Sequence, residues 1–356
     1  MSSRGVSRGK ISHMSKEILS GKPHDSQEQQ EDVSMRPKTL REMSGRREER
    51  EAIRILIDAA KKRKQSVDHI LFHGPPGLGK TTFAFIIAGE MGSHVRITSG
   101  PAVERQGDLA AILTNLKDGD ILFIDEIHRL NRGVEEILYP AMEDFKLDII
   151  VGKGPSARSV RLKLPRFTLI GATTRIGYVS APLRSRFGFL QRLDYYTDED
   201  LLDIILRAAK LMKVKIDKAG AQEIARSSRG TARISLRLLR RASDYCLVEC
   251  KSDTITSSIA RDSLDKLGVD ALGLDDLDRQ ILNVIIEKFS GGPVGLSTIA
   301  AAVSEEVDTV SEVYEPFLMQ KGLIKRTSRG RVATQMAFEH LGIPAKKESK
   351  EQPKLI

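Results

Sequence analysis

The chain has 356 residues, room for two or three domains of ordinary size. Its 40% hydrophobic and 29% charged residues are the balance of a water-soluble globular protein, and it has no run of about 18 apolar residues that could span a bilayer. A net charge of +9 leans toward a polyanionic partner such as nucleic acid, without requiring one.

Residues 1–34 are rich in Ser, Gln, Gly and charge and poor in large apolar side chains, so a disordered tail is expected there. They also lack the apolar core of a secretory signal, which points to a cytoplasmic protein. Ile53, Leu56, Ile57 and Ala60 fall on one stripe, predicting a helix from Arg46 to Lys64. Four short apolar runs follow: Ile70–Phe72, Val95–Ile97, Ile121–Ile124 and Thr168–Ile170. Helical patterns separate the first three, the layout of a parallel sheet whose strands are buried on both faces. After a predicted helix over Val134–Phe145, Leu147–Val151 and Val160–Leu164 alternate around Gly152, Gly154, Pro155 and Ser156. That pattern predicts a protruding β-hairpin, 147–164, which either packs on its own domain or docks a partner.

Beyond residue 198 the strand signal fades, and 198–212, 218–228, 232–250 and 256–267 read as amphipathic helices. Cys246 and Cys250 share one of them, with no further ligand at metal spacing, so two reduced thiols are expected. Helices near 275–289, 296–303 and 307–321 then precede two strand-like pieces around Arg329-Gly330, the order of a winged helix. The expected fold is therefore an α/β P-loop ATPase domain (35–197, a parallel sheet flanked by helices), an all-helical lid (198–273) and a C-terminal winged helix (274–342), with a second tail at 343–356.

Two motifs carry the chemistry. Gly74-Pro-Pro-Gly77-Leu-Gly79-Lys80-Thr81 fits the phosphate-binding loop G-x-x-x-x-G-K-[ST], and it stands between a strand and a helix as that mechanism requires. Its glycines let backbone N–H groups turn toward phosphate oxygens, and the helix N-terminus adds a favourable dipole. Gly77, Gly79, Lys80, Thr81 and Thr82 are its candidate ATP ligands; Lys80 would reach the β- and γ-phosphates and the Thr81 hydroxyl would ligate Mg²⁺. The strand Ile121–Ile124 ends in Asp125-Glu126, a second acidic element in which Asp125 would hold Mg²⁺ through water and Glu126 would activate the attacking water. Thr173 and Thr174 close another strand beside the expected γ-phosphate, with Thr173 taken as a catalytic candidate. Lys325, Arg326, Arg329 and Arg331 surround the tight turn of the predicted wing, where cations suit phosphate contact and carry no base code. Trp is absent, so base stacking is not the expected grip.

Over residues 35–342 the chain resembles RuvB, the bacterial AAA+ family of Holliday-junction branch-migration ATPases. The resemblance rests on Arg36–Leu40, Gly74–Thr81, Thr98–Pro101, Asp120–Asn131, Tyr139–Asp144, Gly171–Arg175 and Gly330–Thr334. It implies ATP-dependent branch migration of four-way junctions in recombination, repair and the SOS response. By the same resemblance the motor is a homo-hexameric ring on duplex DNA, with a RuvA-like junction binder docked on hairpin 147–164 and a RuvC-like resolvase as further partner. Residue by residue, it implies Arg186 as an arginine finger acting on a neighbour's γ-phosphate and Arg233 as the lid's contact to the phosphates. Met35, Arg36, Glu143, Asp144, Phe145 and Tyr196 are implied at the nucleotide, and Arg326 and Arg331 at DNA, where the wing's charge adds Arg329 as a candidate. The sequence departs from the family at Ser44 and Arg46, at Arg166, and at Ala232 and Leu236. A clamp-loader subunit of the same superfamily and an ATP-sensing DNA-binding regulator are the alternatives.

Overall fold

The structure, a computed structural model, describes residues 35–151, 158–250 and 252–344. The tail expected at 1–34, most of that at 343–356, and the hairpin tip with Gly152, Gly154, Pro155 and Ser156 lie outside the described residues. The chain forms two compact units, one built up to Lys218 with Gly230–Leu236 added, the other from Ala219–Arg229 and Arg237 onward.

In the first unit the strands are β1 (Ile70–His73), β2 (Val95–Ser99), β3 (Ile121–Asp125), β4 (Lys146–Val151), β5 (Arg158–Lys163), β6 (Thr168–Thr173) and β7 (Phe189–Arg192). Five of them make one parallel sheet in the order β2-β3-β6-β1-β7. The helices are α1 (Arg47–Arg63), α2 (Lys80–Met91), α3 (Gln106–Thr114), α4 (Arg132–Glu143), α5 (Ala181–Arg184) and α6 (Asp198–Met212). The central strands β1, β3 and β6 are almost wholly buried because both sheet faces are covered, which is why they read as unbroken apolar runs. Edge strand β2 departs from the expected two-sided burial, leaving Ile97 exposed. The other edge, β7, was missed: Phe-Leu-Gln-Arg alternates and is only half covered, so it gives no apolar run.

Hairpin β4–β5 pairs antiparallel from Lys146↔Lys163 to Val151↔Arg158, as the alternation predicts. Leu147 is anchored in the core, whereas Val160 and Leu162 are exposed.

In the second unit, Ala219–Arg229 and the C-terminal parts of the lid meet the winged helix. Its helices include α7 (Lys218–Arg226), which starts one residue earlier in the chain, α8 (Ala232–Glu249), which begins in the first unit, and α9 (Ser257–Lys266). Then follow α10 (Asp276–Asn283), α11 (Leu296–Ala302), α12 (Val307–Thr309), α13 (Glu315–Gln320), strands β8 (Ile324–Thr327) and β9 (Gly330–Ala333), and α14 (Gln335–His340). The three predicted helices of this region are present, two of them continued by a π-turn at 284–288 and 310–314. A buried cation ties the unit together: Arg229 reaches Asp278 at 2.5 Å and Asp275 at 3.1 Å, donates Nε–H to the Gly273 carbonyl, and lies over the Phe317 ring. Burial drives the Asp278 carboxyl well above its usual range, and the adjacent Arg229 guanidinium opposes it.

Candidate nucleotide site and wing

The cavity of the first unit opens at the C-terminal ends of β1, β3 and β6, where a parallel sheet presents its loops. Because β6 lies between the phosphate-loop strand and the acidic strand, all three motifs converge there. The lining collects Met35, Arg36, Gly77, Gly79, Lys80, Thr81, Thr82, Asp125, Glu126, Tyr196 and Arg233 of the expected residues. It adds Thr174, Ser44, Arg207 and Leu236.

Gly77 and Gly79 have left-handed φ angles of 78° and 90°, which a side chain would strain, and α2 starts directly behind them. Lys80 is buried, its ammonium donating to the carbonyls of Gly74 at 2.8 Å and Pro75 at 2.7 Å. Desolvation pulls its pKa from 10.5 down to about 8; Asp125 and Glu126 resist that pull, while Arg233 and Arg46 add to it.

Asp125 accepts the Glu126 N–H on Oδ1 at 2.9 Å. Glu126 itself has φ 46°, left-handed and costly by about 1–2 kcal/mol for a non-glycine residue. Gly100, just past β2, explains how that turn fits: a Cβ there would meet the Glu126 carbonyl oxygen at 2.4 Å. The Thr98–Pro101 motif therefore seats the acidic element. Glu126 pairs with Arg129 at 3.1 Å.

The two threonines separate. Thr173 is fully buried, its Oγ1 held by His128 Nδ1 at 3.0 Å and by the Arg175 N–H. Thr174 instead lines the cavity. Thr173 is the last residue of β6 and Thr174 the first beyond it, where the chain turns toward the cavity. Catalytic candidate Thr173 therefore does not line the cavity, and its neighbour Thr174 does.

Besides Thr173, four expected residues do not line this cavity: Arg186, Glu143, Asp144 and Phe145. Arg186 lies just beyond α5, with its guanidinium over the Tyr139 ring at 4.3 Å, an ion pair to Glu143 at 3.1 Å and a bond to the Pro182 carbonyl. Tyr139 is fixed in turn by buried Glu135, which also accepts from Ser180 Oγ. Phe145 packs edge-on against Phe167 in the core. These groups form an assembly of their own outside the cavity lining.

Arg46, a departure from the family, is buried at 4.0 Å over the Tyr196 ring and bonds the Asp194 carbonyl. It thus backs the tyrosine that lines the cavity. Burial keeps the Tyr196 phenol above its usual pKa and hence neutral.

On the wing, β8 and β9 pair with Arg326 opposite Arg331 across the two-residue turn Ser328-Arg329. Lys325, Arg326 and Arg329 are exposed. Arg331 departs from the expectation of a free phosphate contact: it is largely buried and makes two 2.9 Å bonds to the buried Glu315 carboxylate. Residues 296–320, the helix-turn-helix segment ahead of the wing, contain no Lys or Arg but carry Glu305, Glu306, Asp308 and Glu312.

Three family profiles match in succession along the described residues. The Holliday junction DNA helicase RuvB P-loop domain covers residues 35–193, the RuvB AAA lid domain 196–270 and the RuvB C-terminal winged helix domain 271–342. The chain is 57% identical over 331 residues to the Holliday junction branch migration complex subunit RuvB of Chloroflexus aurantiacus, covering 93% of this chain and 94% of that one. To the subunit of the same name from Dehalococcoides mccartyi it is 58% identical over 321 residues, 90% and 92% of the two chains. Among solved structures, the Thermotoga maritima RuvB Holliday junction branch migration motor superposes with TM-score 0.80 at 49% identity, covering 88% of this chain and 99% of that one.

Proposed function

Since the chain belongs to the RuvB family, we infer that it is an ATP-hydrolysing motor that drives branch migration of Holliday junctions together with a RuvA-like partner. The observation that carries the reading is the joint placement of Lys80, Thr81, Asp125, Glu126, Thr174 and Arg233 around one cavity. Lys80 and the glycine-turned backbone bind the β- and γ-phosphates. Thr81 and Asp125, both in the lining, would hold Mg²⁺, which would supply charge neutralisation on the phosphates; Asp125 has committed one oxygen to the Glu126 N–H. Glu126 takes the proton of the attacking water, and Thr174 orients that water. Arg233, at the start of α8, reports nucleotide state to the lid.

Arg186 acts in trans. Its seat apart from its own cavity supports this, and so does the nearness of Glu143, which holds it until a neighbour's γ-phosphate competes. Glu143, Asp144 and Phe145 face the nucleotide from that same adjacent subunit. The ring is a homo-hexamer working in the cytoplasm, with domains 35–197, 198–273 and 274–342. Exposed Val160 and Leu162 support hairpin 147–164 as the RuvA-docking element, and a RuvC-like resolvase acts on the product of the motor. Arg326 and Arg329 hold DNA phosphates, with Arg331 shaping the wing beneath them. Neither alternative, clamp-loader subunit or ATP-sensing regulator, has an observation in its favour.

The test is strand separation of a synthetic four-way junction under ATP, with and without a RuvA protein. Resolution into two duplexes that needs ATP, accelerates with RuvA and vanishes in Glu126→Gln is expected. Rapid ATP hydrolysis with the junction left intact in both conditions would remove branch migration.

A further inference from the structure

At the opposite, N-terminal end of the sheet lies a broad open cleft of about 720 Å³, lined by the end of α1, the end of α2 and the loops entering β3 and β6. Five exposed cations line it: Lys61, Arg63, Lys64, Lys117 and Arg166. Lys61 is tied only loosely, to Glu90 at 3.8 Å. Among the described residues no ion pair involves Arg63, Lys64, Lys117 or Arg166.

Two carboxylates share the cleft, and each has an oxygen committed to backbone. Asp118 accepts the Arg166 N–H at 2.7 Å, and Asp120 accepts the Lys117 N–H at 2.8 Å. With the Gly119 N–H donating to the Arg166 carbonyl at 2.7 Å, these bonds lock the two cation-bearing loops together. The Arg166 side chain is further oriented over the Phe145 ring. Cations in the last turn of α1 answer the negative end of its dipole, which is the ordinary reason for them. That reason does not extend to Lys117 and Arg166, which lie on loops.

The geometry points to a second nucleic-acid contact: a phosphate-backbone track on the ATPase domain, independent of the wing and of the nucleotide cavity. Its openness suits an extended polyanion more than one small anion. Cations on three segments, preset by backbone bonds, can neutralise successive phosphates without reading bases. The inference rests on the DNA-motor reading only in the choice of nucleic acid as the polyanion.

The experiment measures duplex-DNA affinity of the full chain against salt concentration, for wild type and for Lys64→Gln/Lys117→Gln/Arg166→Gln. Each lost phosphate contact flattens the slope of log K against log salt by about 0.9, so a slope shallower by about 2–3 is expected, with DNA-free ATPase unchanged. The charge-keeping variant Lys64→Arg/Lys117→Arg/Arg166→Lys keeps the wild-type slope. A Gln variant with the wild-type slope overturns the proposal, because DNA then holds elsewhere and the cleft serves a different partner or none. Loss of slope in both variants also overturns it, since the cause is then a damaged fold. Arg326→Gln, run beside them, reports the wing: an unchanged slope there removes the wing contact and leaves the cleft result standing.

Discussion

The buried ammonium of Lys80 makes ATP affinity depend on pH in a calculable way. In the free protein its pKa is pulled down to about 8 by burial, while a bound polyphosphate restores the charged form. With that value the charged fraction falls from about nine-tenths at pH 7 to about one-tenth at pH 9, so ATP should bind about tenfold more weakly at pH 9. Binding at pH 8.5 should take up about three-quarters of a proton. The sign follows from a folded pKa below the unfolded 10.5: burial of the charge opposes folding below about pH 8, and that cost fades as pH rises from 8 toward 10.5. Nearby groups do not imitate the effect. The His73 imidazole is held below its usual range by burial and by Arg192, so it stays neutral throughout, and the Tyr196 phenol is pushed up and also stays neutral. The nucleotide is ionised because a phosphate's second pKa is about 6. Calorimetric titration of Glu126→Gln with ATP, in buffers of differing ionisation enthalpy, measures Kd and proton uptake together. A Kd flat between pH 7 and 9 with no proton taken up would refute the reasoning; Lys80→Met should bind weakly and show no such dependence.

Gly100→Ala drives a Cβ against the Glu126 carbonyl oxygen at 2.4 Å, so steady-state ATPase should drop at least about tenfold while ATP still binds; undiminished kcat would show that the acidic turn adapts freely. Tyr139→Leu removes the ring beneath Arg186 and should lower kcat with little change in ATP affinity. Mixing it with Lys80→Ala should recover activity at interfaces where a Lys80→Ala subunit lends its intact finger to a Tyr139→Leu site, and no recovery in rings shown to mix would detach Tyr139 from the finger. Arg331→Ala strands the Glu315 carboxylate in a buried site, so the winged helix should lose about 3 kcal/mol in denaturant unfolding. Arg326→Ala should cost little stability and flatten the DNA salt dependence by about one phosphate contact. Equal unfolding midpoints for the two variants would contradict the division of labour between them.

The sequence by itself determined the elements whose chemistry is local. The spacing Gly74–Thr81 makes a phosphate loop wherever a strand and a helix flank it, and the apolar runs of β1, β3 and β6 require a sheet covered on both faces. Helical periodicity likewise placed most of the helices beyond residue 198 within a few residues. Strand β7 escaped because an edge strand needs no continuous apolar run, and the exposed face of β2 was invisible for the same reason. Tertiary structure alone decided which of two adjacent threonines meets the cavity, because β6 ends between them, at Thr173, and the sequence does not mark that end. Only folding could bring Glu315 under Arg331, 16 residues away, or Gly100 under Glu126. It likewise joined Lys64, Lys117 and Arg166 from three distant segments into one cleft. A side chain's type is written in the sequence, but whether it faces solvent, a ligand or a buried partner depends on long-range neighbours that periodicity does not encode.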